Sequence, residues 1–285
     1  MGGITRAESP RERFYRIVAE AITDFEIHGF DSQQRLDHWM REIAGAAKAA
    51  QVPEREIIER LSGQLDRAYR STLSRPRLAR VHPGVGRWTI EKIKPELRGE
   101  LRRRILASAS LIKLDREASI QRTLSRFAGW ASAVPVDGAE TQDRAAKSKE
   151  IRRGIAGLPF VERRVIIDQS HKLAAAIDDL IARDAGAIAV MWRHVRPQPG
   201  YTPRPEHVAR DGRVYLLRDS WARTEGLVKP GRWGYFEDVD GQPGQEVFCR
   251  CGGQFVYTLD RLPADMLTAK GRALLKRGEK LIASA

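Results

Sequence analysis

The chain has 285 residues, 42% hydrophobic and 31% charged, enough to bury a core as one large domain or two modest ones. Lys and Arg number 50 against 37 Asp and Glu, a net charge of +13, which excludes an acidic or neutral protein and favours an anionic neighbour. No run of about 18 apolar residues marks a membrane span. No apolar stretch follows Met1-Gly-Gly-Ile-Thr-Arg as a secretory signal requires, and two cysteines exclude a disulfide-dense scaffold.

In chain order, Ser9-Pro10 signals a helix start, and Phe14, Ile17, Val18, Ala21, Ile22 and Phe25 follow at helical spacing until His28-Gly29-Phe30. Asp31 or Ser32 caps a second helix bearing Leu36, Trp39, Met40 and Ile43. Pro53-Glu54 opens a third with Ile57, Ile58, Leu61, Leu65 and Ala68 on one side. Ser74-Arg-Pro and His82-Pro-Gly-Val-Gly then read as a basic connector. Gly84-Val-Gly86 is too short for a phosphate loop. A long helix is predicted from about Lys94 to Trp130, with a stripe of Leu97, Leu101, Ile105, Ile112, Ile120, Leu124 and Phe127. The small, polar run that begins at 134 reads as a linker over 134–159.

Beyond it the pattern changes. Residues 160–183 read as a helix ended by Gly186, and Ala187–Val195 as a strand. Residues 196–246 are rich in Pro, Gly, Asp and Arg, with a short strand at Arg213–Leu217. Val247–Cys251 and Gln254–Leu259 read as a hairpin, and Pro263–Leu281 as a basic helix. The fold class is α+β: a mainly helical N-terminal part, then a small antiparallel α+β module. The expected divisions are 1–133, the linker 134–159, and 160–285.

The charge is uneven. Residues 1–160 hold 30 Lys and Arg against 21 Asp and Glu, and residues 161–285 hold 20 against 16. The excess concentrates around Arg98 and the run Arg102-Arg103-Arg104, read either as a surface for phosphate or a protein partner or as a solvated helix face. Aromatics are not interleaved there for base stacking, so only nonspecific contact with double-stranded DNA is supported.

The chemistry-bearing residues lie further on. Cys249-Arg250-Cys251, placed on a strand, puts both thiols on one face. A mutual disulfide at that spacing is strained, but two thiolates bind zinc if other ligands join them, and His207 and Asp211 are the nearest candidates. Two buried thiols beside a hydrogen-bonded His are the plainer alternative. The same four residues admit a metal-dependent nuclease or other DNA-processing enzyme, though no further catalytic signature accompanies them. Asp211-Gly212 and Gly241-Gln-Pro-Gly244 read as turns.

Taken in order, Trp192, Arg204, His207, Asp211-Gly212, Pro243-Gly244 and Cys249-Arg250-Cys251 resemble the phage Mu F-like minor head protein family, also called phage head morphogenesis proteins. The resemblance covers roughly residues 160–260. Family members often carry an Arg-Thr-Glu-like triplet before the Trp, where this chain has Ile167-Asp168-Gln169-Ser170. The resemblance implies a structural, non-catalytic component of a tailed-phage or prophage head. Its partners would be the portal and the major capsid or scaffold protein, with the N-terminal helices as docking candidate. Its place would be the virion head interior, and the host cytoplasm during assembly. Its role would be in head assembly and in DNA packaging or ejection. No cofactor is implied, zinc aside.

Overall fold

A computed structural model describes residues 7–195 and 202–283. The N-terminal hexapeptide and residues 196–201 of the Pro- and Arg-rich run lie outside the described residues. The structure is 66% helical with a small three-stranded antiparallel sheet, the α+β class expected. No described helix is long and apolar enough to cross a membrane.

The chain divides into two compact units, and they are not the sequential domains expected. One takes the chain up to Leu61 together with Ala107–Val165, and the other takes Ser62–Leu106 and everything from Ile166. The boundaries fall inside the helices α3 (Glu54–Thr72), α6 (Lys94–Ala131) and α7 (Arg144–Asp184) rather than in loops. Uninterrupted helical periodicity therefore hides them.

The first unit is helical. In α1 (Pro10–His28) the Ser9 side chain accepts from the Glu12 N–H, and Glu12 returns a bond to the Ser9 N–H, the reciprocal cap that the sequence signals. The helix α2 (Gln33–Ala49) is capped by Ser32. Phe14, Ile17, Val18, Ile22 and Phe25 of α1 pack with Leu36 and Ile43 of α2, Leu124 and Phe127 of α6, and Ile151 and Ile155 of α7. Phe25 meets Phe127 edge-on, ring centres 5.8 Å apart.

The expected linker at 134–159 is instead a short loop followed by the start of α7, whose Asp143 side chain accepts from the Ala146 N–H. The Arg, Lys, Ala and Glu of 144–153 are good helix formers, and the helix runs on through Gly154, Gly157 and Pro159. The loop is docked on the end of α1. Gly29, at φ 67°, passes so close to the Pro135 carbonyl that a Cβ would lie 2.1 Å from it. Buried Glu26 accepts from the Thr141 N–H and pairs with Arg144 at 2.5 Å.

The second unit carries the sheet, in the order β2–β1–β3: β1 (Ala189–Arg193) is central, β2 (Val214–Leu216) and β3 (Gly252–Val256) flank it, and both pairings are antiparallel. Side chains alternate across β1 as a pleated strand requires. Ala189 joins Val214, Leu216, Val256, Leu259, Leu262 and Met266 on one face. Val190 and Trp192 join Ala182, Tyr215, Phe255 and the two cysteines on the other. A short helix α8 (Pro205–Ala209) precedes β2, α9 (Trp221–Thr224) follows it, and α10 (Ala269–Ala283) closes the described chain.

The basic connector at 74–86 is also structured: it holds the short helix α4 (Arg75–Val81) and leads directly into α5 (Arg87–Lys92). Its His82 is fully buried within the second unit, stacked on Phe255 with ring centres 5.0 Å apart. Its Nδ1 lies 2.6 Å from the Tyr257 hydroxyl and its Nε2 3.2 Å from the Asp178 carboxylate. Arg77 grips the same carboxylate with two bonds of 2.7 and 2.5 Å. The connector is thus an anchor rather than a spacer.

Candidate metal centre

Three segments of the second unit build the site. The first is α8, which opens with Pro205 at its first turn after Arg204, so that φ is already set for a helix. It is only five residues long and has little intrinsic stability. It carries His207 inward, 1% exposed, its imidazole T-shaped to the buried Trp192 ring with ring centres 5.3 Å apart.

The second is the turn at Asp211-Gly212. Gly212 takes φ 75° and its N–H donates to the Trp192 carbonyl at 2.9 Å. Asp211 is exposed, and its carboxylate accepts from the His194 N–H at 2.9 Å. Asp211 therefore fastens the end of β1 to the turn, and it does not join His207 and the cysteines as expected. Four residues along a helix that ends at Ala209 take the chain out of the helix before Asp211, so the two side chains diverge.

The third segment is the run 241–251. Gly241 and Gly244, at φ 63° and 80°, make the expected turns, and Pro243 is buried. Gly244 crosses α7 so closely that a Cβ would lie 2.6 Å from that of Ala175. The expected strand at 247–251 does not form. Phe248 is the one described non-glycine residue at positive φ, 61°, which breaks an extended run. Its N–H donates to buried Asp168 on α7 at 2.6 Å, and Asp168 also pairs with Lys172. Cys249 and Cys251 thus sit in a turn leading into β3, with the Cys249 N–H donating to the Glu246 carbonyl.

This turn brings the thiols to His207. Nδ1 lies 3.6 Å from the Cys249 sulfur and 3.7 Å from the Cys251 sulfur, and the three donor atoms all lie within 4.8 Å of one another. All three residues are buried. On the other side of the ring Nε2 faces the Glu246 carboxylate at 3.5 Å, and Arg204 holds that carboxylate at 2.9 Å while donating to the Val247 carbonyl. The Cys249 thiol is brought down to about 5, chiefly by a hydrogen bond from Cys251, against the effect of burial; the His207 and backbone groups add to the lowering. Cys251, donating that bond and buried, is pushed up. Arg250 between them is half-buried, and its charge adds to the burial that lowers His171.

No protein-family model matches the chain, and comparison with curated proteins and with solved structures finds no match.

Of the four metal candidates read from sequence, the structure brings together His207, Cys249 and Cys251. Sequence reasoning missed Glu246 and Asp168, which orient the cluster from outside. Glu246 had a local signal in its place just before the cysteines. Asp168, 80 residues from the turn it holds, lies in the stretch set against the family's triplet, with no role read for it. The four basic candidates separate. Arg103 and Arg104 both pair with Glu100. Arg98 and Arg102 line a hollow of the second unit with Asp66, Tyr69, Arg70 and Leu101.

Proposed function

We propose that the chain is a structural minor head protein of a tailed phage or prophage, acting at the portal and capsid interior in head assembly and in DNA packaging or ejection. One observation carries the reading. The residues whose order resembles the phage head morphogenesis family are also the residues that lock together. The Gly212 N–H binds the Trp192 carbonyl, Trp192 abuts His207, His207 faces both cysteines, and Arg204 secures the acid behind it. An order that resembles a family motif and also makes one interlocked centre supports the family reading more than the order alone.

The nuclease alternative loses support from Asp211. Its carboxylate is engaged with the His194 backbone, so the cluster has no acid of the kind a hydrolytic metal site uses from that position. The proposal assigns no catalytic step. Its partners are the portal and the major capsid or scaffold protein. Arg98 and Arg102 are the residues offered to DNA or to an anionic partner surface.

Mass spectrometry of purified procapsids and virions tests the reading. The chain is expected in both at low copy relative to the major capsid protein. Its absence from both overturns the proposal.

A further inference from the structure

The geometry points to a zinc site formed by His207 Nδ1, Cys249 Sγ and Cys251 Sγ, closing the short helix α8 onto the turn before β3. Zinc bonds of about 2.3 Å to sulfur and 2.0–2.1 Å to nitrogen, at tetrahedral angles, place a nitrogen and a sulfur ligand about 3.6 Å apart. The two nitrogen–sulfur separations here are 3.6 and 3.7 Å.

The hydrogen bond from Cys251 to Cys249 does not itself account for the two nitrogen–sulfur separations. The neutral imidazole has one lone pair at Nδ1 and accepts one hydrogen in line with it. Two sulfurs at nearly equal distance from one nitrogen leave the second contact unexplained, whereas a cation shared by all three accounts for both. The rest of the imidazole is set for the same role. Nε2 faces Glu246, whose carboxylate favours a proton on that nitrogen and so directs the Nδ1 lone pair at the sulfurs. Arg204 in turn fixes Glu246. Two thiolates with an imidazole select zinc over the hard cations magnesium and calcium.

Among the described residues no fourth His, Cys or carboxylate joins the group, so these three are the ligands assigned. The consequence is mechanical. Helix α8 is too short to persist alone, and the link joins it to a turn 42 residues further along the chain.

The test uses the full chain, produced in zinc-supplemented medium and purified without chelators. Metal analysis is expected to find about one zinc per chain. Replacement of the metal by cobalt is expected to give thiolate-to-cobalt charge-transfer bands and the strong visible absorption of a tetrahedral site. The Cys249→Ser/Cys251→Ser double variant is expected to lose the zinc. Should that variant not fold, stepwise mercurial titration of the wild-type thiols replaces it, with zinc expected to leave as the two thiols react. Zinc well below stoichiometric in the wild-type chain, with no cobalt spectrum, overturns the assignment. So does zinc retained in full by the folded double variant, or by wild-type chain whose two thiols are blocked.

Discussion

In the first unit Phe14, Ile22, Phe25, Ile43 and Phe127 are buried to exclusion of solvent, and the helices meet through rings and branched chains. In the second, buried polar groups recur at the joints: His82 and Asp178 under Phe255, Asp168 under Phe248, and His207 with two thiols beside Trp192. The difference follows from what each must hold. Long helices bury a continuous apolar stripe, which carries their packing even where a buried ion pair such as Arg116 of α6 with Glu162 of α7 is added to it. The second unit must pin a five-residue helix, three short strands and several glycine turns, none of which buries enough apolar surface to fix its own position. Directional bonds take over where packing area runs short.

The largest expected effect tests the apolar half of this contrast. Phe25→Ala removes a ring that packs on Phe127, Phe30 and Trp130, and should cost about 3–5 kcal/mol by urea unfolding. A loss below about 1 kcal/mol would show that the helices collapse around the gap, and that the cluster is not the principal hold on the first unit.

The polar half is tested at Asp178. Asp178→Ala leaves the Arg77 guanidinium and the buried His82 imidazole without their shared acceptor, and should cost about 3 kcal/mol. A double-mutant cycle with Arg77→Ala should return a coupling of about 1–3 kcal/mol. Additive losses would mean that the bidentate pair contributes no more than its separate halves, and the contrast between the units would blur.

The same contrast explains how much was legible in the sequence. Helix α1 was read from end to end, because Ser9-Pro10, Glu12 and the apolar spacing are all local. So were α6, the end of α7 at Gly186 and the strands β1 and β2, within a residue or two. The errors lie where distant partners decide. Val247-Phe-Cys-Arg-Cys has the composition of a strand, yet Asp168 draws the Phe248 N–H into α7 and the backbone turns over. His82-Pro-Gly has the composition of a loop, yet its imidazole is fixed by residues 96 and 175 positions away. At the candidate site the residue types were legible and their arrangement only in part. His207 and the cysteines converge as expected, while Asp211 leaves with the turn it begins.

The smallest expected effect is a pH dependence at the same buried network. Burial, with the nearby Asp178 charge, raises the Tyr257 phenol well above its ordinary value. Below pH of about 10 the phenol is neutral in both the folded and the unfolded chain and adds no pH dependence. As pH rises through that value the unfolded chain releases the proton while the folded chain retains it, so stability falls with rising pH. Tyr257→Phe removes this contribution. At neutral pH the variant should be weaker by about 1 kcal/mol, for the bond lost to His82. Urea unfolding of both chains at about pH 8 and about pH 11 should show that gap narrowing at the higher pH, since only the wild-type chain has a buried phenol to lose. A gap that stays constant would mean that the phenol ionises as readily in the fold as outside it. The hydroxyl at 2.6 Å from His82 would then not be the closed polar contact that fixes the connector within the second unit.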